Sequence, residues 1–184
     1  MKDGEEILIR RVEADEVTDH WLDAFERYQE SERWYQYQGD RLVMRMECFV
    51  DDWTLEEKRE KVEDIRKCLA GGGVLFAALQ GALPVGFALV SGEVKHGCTE
   101  LDKLHVSRPA RRRGLGKKLL LLAKDAARQM GAEWMFLASN PAEETQEFYI
   151  AMGCEDGRDL LPWFTIEYGT DRPLKLWVGP ERDR

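Results

Sequence analysis

The chain has 184 residues, 43% of them hydrophobic and 34% charged, and a formal net charge of −8. That length suits one domain able to bury a core without disulfide or metal staples, so residues 1–184 are expected to form a single unit. The acidity argues against general nucleic-acid binding, which needs a broad basic face, and no apolar run approaches the roughly 20 residues that span a bilayer. The opening M-K-D-G-E-E-I-L-I-R-R lacks the apolar stretch of a signal peptide. Cys48, Cys68, Cys98 and Cys154 form neither a C-x-x-C pair nor a zinc spacing. A cytoplasmic protein with reduced thiols is expected, without metal, nucleic-acid partner or membrane partner.

In chain order, Ile7–Val12 reads as a short strand. Val17, Trp21, Phe25 and Tyr28 then recur at helical spacing and predict a helix that fades before Gly39. Trp34, Tyr35 and Tyr37 suit either a pocket lining or an aromatic cap on the core. Residues 41–52 suit a loop folded over a ligand or an irregular strand. Thr54 and Glu57 make a capping box, opening a helix with Leu55, Val62, Ile65 and Leu69 as its buried stripe; Gly71–Gly73 stops it. Val74–Leu79 and Pro84–Ser91 read as two strands of a meander, and another strand starts near Thr99.

Leu119, Leu122, Ala123, Ala126 and Met130 mark the core face of a helix that ends at Gly131. Trp134–Ala138 is short and wholly apolar, as in a strand covered on both faces. Asn140 as N-cap, Pro141 at the first position and Glu143 as capping-box partner predict the next helix, which carries Phe148, Tyr149 and Met152. Segments 163–167 and 173–178 read as closing strands. The order describes an α/β fold built on an α+β mixed sheet.

One stretch stands out, E-L-D-K-L-H-V-S-R-P-A-R-R-R-G-L-G-K-K, from Glu100 to Lys118. Arg108, Arg111, Arg112, Arg113, Lys117 and Lys118 crowd its second half with no acid among them. A bound polyanion at a helix N-terminus explains such an island, because free N–H groups and the helix dipole favour negative charge there. The dipole disfavours Lys117 and Lys118 in the first turn by about 0.3–1 kcal/mol each, and a local rule broken this often marks a site. A Walker A loop fails, since Arg111 holds the first glycine position and Lys118 the Ser/Thr position. A dinucleotide fingerprint fails where Leu119 replaces the third glycine. What remains is Arg111-x-x-Gly114-x-Gly116 between a strand and a helix, whose glycines let the backbone approach a pyrophosphate. On the strand, alternation puts Glu100 and Asp102 on one face and His105 on the other. Glu100 by itself reads as a solvated strand-end carboxylate, and His105 as structural rather than basic.

The run L-x-V-x-x-x-x-R-x-x-G-x-G from Leu104, followed by N-P-A-E-E-T-Q-E-F-Y-I-A-M-G-C from Asn140, resembles the GNAT superfamily of N-acetyltransferases. The chain is similar in particular to small bacterial members containing E-T-x-x-F-Y. The resemblance covers about 74–178 and leaves 1–73 as the family's variable N-terminal part, lining the acceptor site. It implies a GNAT-like fold, with a mostly antiparallel sheet of six to seven strands, a splayed parallel pair and about four flanking helices. It also implies an acetyl-CoA-dependent N-acetyltransferase acting on a primary amine of a small molecule or peptide, by direct attack in a ternary complex. A non-catalytic acyl-CoA sensor is the alternative.

On this resemblance Arg111, Arg112, Arg113, Gly114, Leu115, Gly116 and Lys117 would hold the pyrophosphate. Leu104, His105 and Val106 would run along the pantetheine arm, and Asn140 would touch the cofactor. Glu100 would be the general base, and Tyr149 the general acid and a cofactor contact. Cys154 stands where a Phe usually follows Gly153, and Asn140 lies two residues further from Tyr149 than in many members. Acceptor recognition would fall to Trp34–Tyr37, Met44–Phe49 and the loop around Trp163, and surplus carboxylates suit a polyamine, an aminoglycoside or another amine metabolite. A homodimer through the final strands is a family habit.

Overall fold

The computed structural model describes residues 6–166 and 171–180. Its elements are β1 (Ile7–Val12), β2 (Gln29–Gln38), β3 (Arg41–Asp51), α1 (Leu55–Ala70), β4 (Val74–Gln80), β5 (Leu83–Val90), β6 (Cys98–Val106), α2 (Leu115–Gln129), β7 (Trp134–Ser139), α3 (Glu143–Ala151), β8 (Glu155–Asp156) and β9 (Arg172–Trp177). Short 3-10 turns lie at Ala14–Glu16, Arg108–Ala110 and Arg158–Leu160. Seven strands form one sheet in the order β1-β4-β5-β6-β7-β9-β8, and β2 and β3 pair as a separate ribbon. Neighbours in the large sheet run antiparallel except β6 and β7, which are parallel. The mixed, mostly antiparallel sheet expected from the sequence is therefore present.

Alternation along the strands separates two packed layers. Leu75, Ala77 and Leu79 of β4 join Val12, Trp21, Phe25, Val62, Ile65, Phe87 and Leu89 under α1. Ala78, Ala88 and Val90 join Leu119, Leu120, Ala123, Leu137 and Leu174 under α2. The α1 helix opens with the expected capping box, Thr54 N–H donating to Glu57 at 2.7 Å and Glu57 N–H to Thr54 Oγ1 at 3.2 Å. Val62 and Ile65 are buried as expected, but Leu55 is 55% exposed.

Among the described residues three α-helices flank the sheets rather than about four, because 17–28 is a chain of turns. Trp21, Asp23 and Phe25 donate their N–H groups to carbonyls three residues back. Cations from α1 take carbonyls that a longer helix would have used: Arg66 Nε donates to Val17 O at 2.8 Å and Lys58 Nζ to Asp23 O at 3.2 Å. The helical spacing recorded burial of Val17, Trp21 and Phe25, which turns deliver equally well.

Two further expectations are corrected. The helix expected to be capped by Asn140 starts at Glu143, with Ala142 as its N-cap and no side-chain cap. Asn140 Oδ1 accepts the Ala142 N–H at 3.0 Å, and Glu143 pairs with Arg33 at 2.6 Å instead of closing a capping box. Residues 163–166 form no strand; Glu167, the last residue of that expectation, lies outside the described residues. β7 already has β6 and β9 as neighbours, so this segment covers the sheet by packing, with Phe164 stacked on Phe136 at 4.9 Å.

Candidate active site

Strands β6 and β7 pair for only three residues, Cys98 with Trp134, Thr99 with Met135 and Glu100 with Phe136. Beyond Glu100 the two diverge, although β6 runs on to Val106 and β7 to Ser139. On its other edge β6 carries a bulge: Val90 faces Leu101 but Leu89 faces Lys103, leaving Asp102 as the extra residue. A bulge bends its strand and increases the twist, so it steers β6 away from β7. The result is a cleft of about 1470 Å³, walled by β6 from Glu100 to Val106, by Leu137 and Ala138 of β7, and by Tyr149 of α3.

The bulge also corrects the expected alternation. Leu101 and Leu104, three residues apart, both face the α2 side. His105 faces the α1 side, edge-on to Trp53 at 4.7 Å and tilted on Phe87 at 5.5 Å. Glu100 alternates with Leu101, which faces α2, so Glu100 and His105 are not set on opposite faces. Burial, followed by the charge of Arg27, pushes the His105 pKa well below the usual imidazole value. The ring is a neutral wall.

Glu100 is half-buried at the last rung before the splay. Burial, and then the neighbouring carboxylate of Asp102, raise its pKa to about 7, while Lys103 and Lys95 oppose the rise. Lys103, 9% exposed, puts Nζ 3.2 Å from both Asp102 oxygens. A carboxyl poised near neutrality in a cleft suits proton removal. Tyr149 is 7% exposed and lines the same cleft. Its pKa is raised, first by burial and next by Cys154, with Arg27 pulling the other way. The phenol therefore holds its proton at neutral pH and can donate it.

At the far end, the loop into α2 turns through Arg112 at φ 60° and Gly114 at φ 75°. Gly114 is the N-cap of α2 and supplies no side chain to the first N–H groups, leaving them available to an anion. Arg112, Gly114, Leu115, Gly116 and Lys117 line the cleft, whereas Arg113 is exposed and outside its lining. Arg111 lines the cleft but its guanidinium is a brace. Nε donates to Val106 O at 3.0 Å, and a terminal nitrogen donates to Arg27 O at 2.8 Å. Asn140, at the mouth of the splay, is also committed, with Nδ2 donating to Asp51 at 3.3 Å and Oδ1 accepting from Ala142.

Two parts of the site go beyond what the sequence signalled: a residue with no local signal, and a ribbon whose aromatic residues were expected near a ligand but whose pairing was not. The first is Arg27, 6% exposed, whose guanidinium bonds Asp51 at 2.5 Å and Gln29 at 3.0 Å and lies 5.8 Å from the Trp53 ring centre. In the sequence it is one cation in a mixed-charge run. The second is the β2–β3 ribbon as a wall. Gln29 and Ser31 donate to Glu144 at 2.9 and 3.1 Å, Tyr35 N–H donates to Pro141 O at 2.9 Å, and Tyr37 OH donates to Asp156 at 2.9 Å. Trp34 and Phe49 line the cleft, but Tyr35, Tyr37, Met44, Met46 and Trp163 do not. Trp163 lies against His96 at 4.5 Å. At the end of the cleft formed by the ribbon, α1 and the start of β6, Asp51, Asp52, Glu57, Glu60, Glu100 and Asp102 outnumber Arg27, Lys61 and Lys103, opposite the basic loop.

Among the described residues no group of three or more His, Cys, Asp or Glu side chains could hold a metal ion, and no helix is long and apolar enough to cross a membrane.

The sequence model of the Acetyltransferase (GNAT) family matches residues 13–153. No curated protein matches the chain in sequence. Among solved structures the chain is similar to nourseothricin acetyltransferase, with a TM-score of 0.65 and 16% identity, covering 92% of this chain and 95% of that one. A protein assigned as a streptothricin acetyltransferase from Bacillus anthracis str. Ames, in complex with acetyl coenzyme A, gives a TM-score of 0.65 and 14% identity over 95% of this chain and 99% of that one. Aminoglycoside 6′-acetyltransferase type Ii gives 0.58 and 15%, over 95% and 99%. At these identities the likenesses show the fold. With the family match over most of its length, the chain belongs to the Acetyltransferase (GNAT) family and is an acyltransferase.

Proposed function

We propose that the protein moves the acetyl group of acetyl-CoA to a primary amine of a cationic small molecule or peptide, by direct attack in a ternary complex. The N–H groups of the Arg111–Lys117 loop, with Arg112 and Lys117, would hold the pyrophosphate. The pantetheine arm would add to the β6 edge that β7 leaves open, along Leu104, His105 and Val106, as a peptide adds to an exposed strand. An N–H at or beside Leu104 would then polarise the thioester carbonyl and stabilise the oxyanion. Asn140 keeps its place at the mouth but holds the ribbon through Asp51, so a cofactor contact from it would have to come from its backbone.

An amine is protonated at neutral pH and must lose a proton to attack. Glu100 would accept it, directly or through water. The C–N bond forms, the adduct nitrogen sheds its second proton to water, the C–S bond breaks with its electron pair on sulphur, and Tyr149 gives a proton to the thiolate and regains one through that water. Residues 74–178 would hold the cofactor and residues 1–73 would line the acceptor side. The acidic end of the cleft favours an acceptor with more than one amine, one reacting while others meet carboxylates; polyamines and aminoglycosides are of this kind.

The observation that carries this reading is the pairing of position and acidity at Glu100: the last rung before the splay, with a pKa of about 7. The test is thiol release from acetyl-CoA across a panel of mono-, di- and polyamines. Release with a polyamine or aminoglycoside, well above that with a simple monoamine, is the expected result. Acetyl-CoA binding without release for any acceptor would overturn catalysis and leave a sensor.

A further inference from the structure

Resting on that reading, we propose that Arg27 is a further catalytic residue, the cation that stabilises the thiolate as the C–S bond breaks. Arg27 occupies a bridge across the mouth of the splayed pair. On one side its carbonyl is tied by Arg111 to the end of β6, since Arg111 donates both to Val106 O and to Arg27 O. On the other its guanidinium is tied through Asp51 to Asn140, just past the end of β7. The thioester must enter the gap that this bridge spans.

The side chain is 6% exposed, lines the cleft, and keeps one buried donor, Nε, without a partner. Buried donors of this kind are uncommon and call for a ligand or a function. The other cations of the cleft are placed for other work. Lys103 is held by Asp102, Lys61 on α1 acts on Glu57, the Arg111 guanidinium is spent on two carbonyls, and Arg112 and Lys117 lie at the loop end.

Tyr149 alone is a poor match to its task. A thiol ionises near ~8.5 and a free phenol near ~10, and burial raises the Tyr149 phenol further. Proton transfer from it to a thiolate is uphill, so negative charge persists on sulphur or passes to the phenolate. Arg27 is the cation that acts electrostatically on Tyr149. It stabilises that charge on whichever atom carries it. The first proton leaving the amine goes to Glu100, the electron pair of the C–S bond stays on sulphur, the Tyr149 proton completes the thiol, and the second amine proton passes through water to restore the phenol.

The test compares two donors on the full-length protein, acetyl-CoA and its selenoester analogue, with an amine that the wild type acetylates. Selenolates leave as far more stable anions than thiolates. Arg27→Met is expected to lower kcat with acetyl-CoA by about 10²-fold, the size of a lost oxyanion donor, while KM for acetyl-CoA moves little. With the selenoester the loss shrinks to a few-fold, and Arg27→Lys recovers part of the rate. Equal slowing with both donors would overturn the inference and leave Arg27 as a brace of the fold. Should Arg27→Met not fold, Arg27→Met with Asp51→Leu removes both charges and strands neither, and the same donor comparison decides. A wild type that releases no thiol with any amine would bring down the acetyltransferase reading and this inference together.

Discussion

The basic-loop half and the ribbon half of this cleft are built by different means. From Cys98 to Lys117 the site is one continuous run of chain set into the main sheet: a strand with a bulge, a turn through two left-handed residues, and a helix that starts on a glycine. From Val17 to Asp51 the backbone is turns and a two-stranded ribbon, an element of marginal stability by itself. Partners more than a hundred residues away hold it in place, with Gln29 and Ser31 on Glu144 and Tyr37 on Asp156. With the cofactor proposed for the loop and the acceptor for the ribbon, this arrangement would let the side chains of the ribbon wall change specificity with little effect on the loop cradle.

The largest effect should come from attacking the cradle. Arg112→Glu with Lys117→Glu puts two negative charges where the pyrophosphate is proposed to lie. At about 1.5–3 kcal/mol for each hydrogen bond to a charged group, calorimetry should show acetyl-CoA affinity falling by roughly 10²–10⁴-fold. A change below threefold would place the anion elsewhere.

The seam between the halves, Glu100, gives the next effect, and its sign follows from its pKa. The ordinary carboxyl value is 4.5 and the folded value about 7, so between them the folded protein keeps a proton that the unfolded chain has shed. The charged form costs stability, fully above the folded pKa and not at all below the unfolded one. Glu100→Gln should therefore raise the unfolding free energy by about 1–3 kcal/mol near pH 8 and leave it unchanged near pH 4, allowing for partial exposure. Equal melting curves at both pH values would contradict the buried, charged carboxylate.

Smaller effects should separate wall from cradle. Glu144→Ala releases Gln29 and Ser31 together, and two lost charge-assisted bonds in a partly buried place predict roughly a tenfold rise in acceptor KM. Acetyl-CoA affinity should stay constant; a parallel loss would show that the halves are one unit. Arg33→Ala removes a half-exposed pair with Glu143 and an exposed contact with the Met44 sulphur and should shift stability by less than about 1 kcal/mol.

The same contrast explains what was legible in the sequence. The capping box at Thr54, the meander, the basic loop and the tyrosine helix are written in neighbouring residues, and each is present. The bulge at Asp102 was not readable as a pairing, because it depends on how β5 meets β6, and it altered which side chains share the α1 face. Val17, Trp21 and Phe25 signalled burial correctly and helix wrongly, since the carbonyls that would have closed the helix are used by α1. Arg27 had no signal at all: its burial depends on Asp51, Gln29 and Trp53 arriving from the ribbon and the start of α1.

The central claim is that the splay presents a thioester to an amine that Glu100 deprotonates. The pH dependence of kcat/KM for thiol release, measured for wild type and Glu100→Gln with the best amine of the panel, tests it most directly. The wild type should rise through a limb centred near pH 7, as the carboxyl ionises. Glu100→Gln should lose that limb and fall by about 10²–10⁴-fold, the usual contribution of a general base. A Glu100→Gln enzyme that keeps both the rate and the limb would contradict the account.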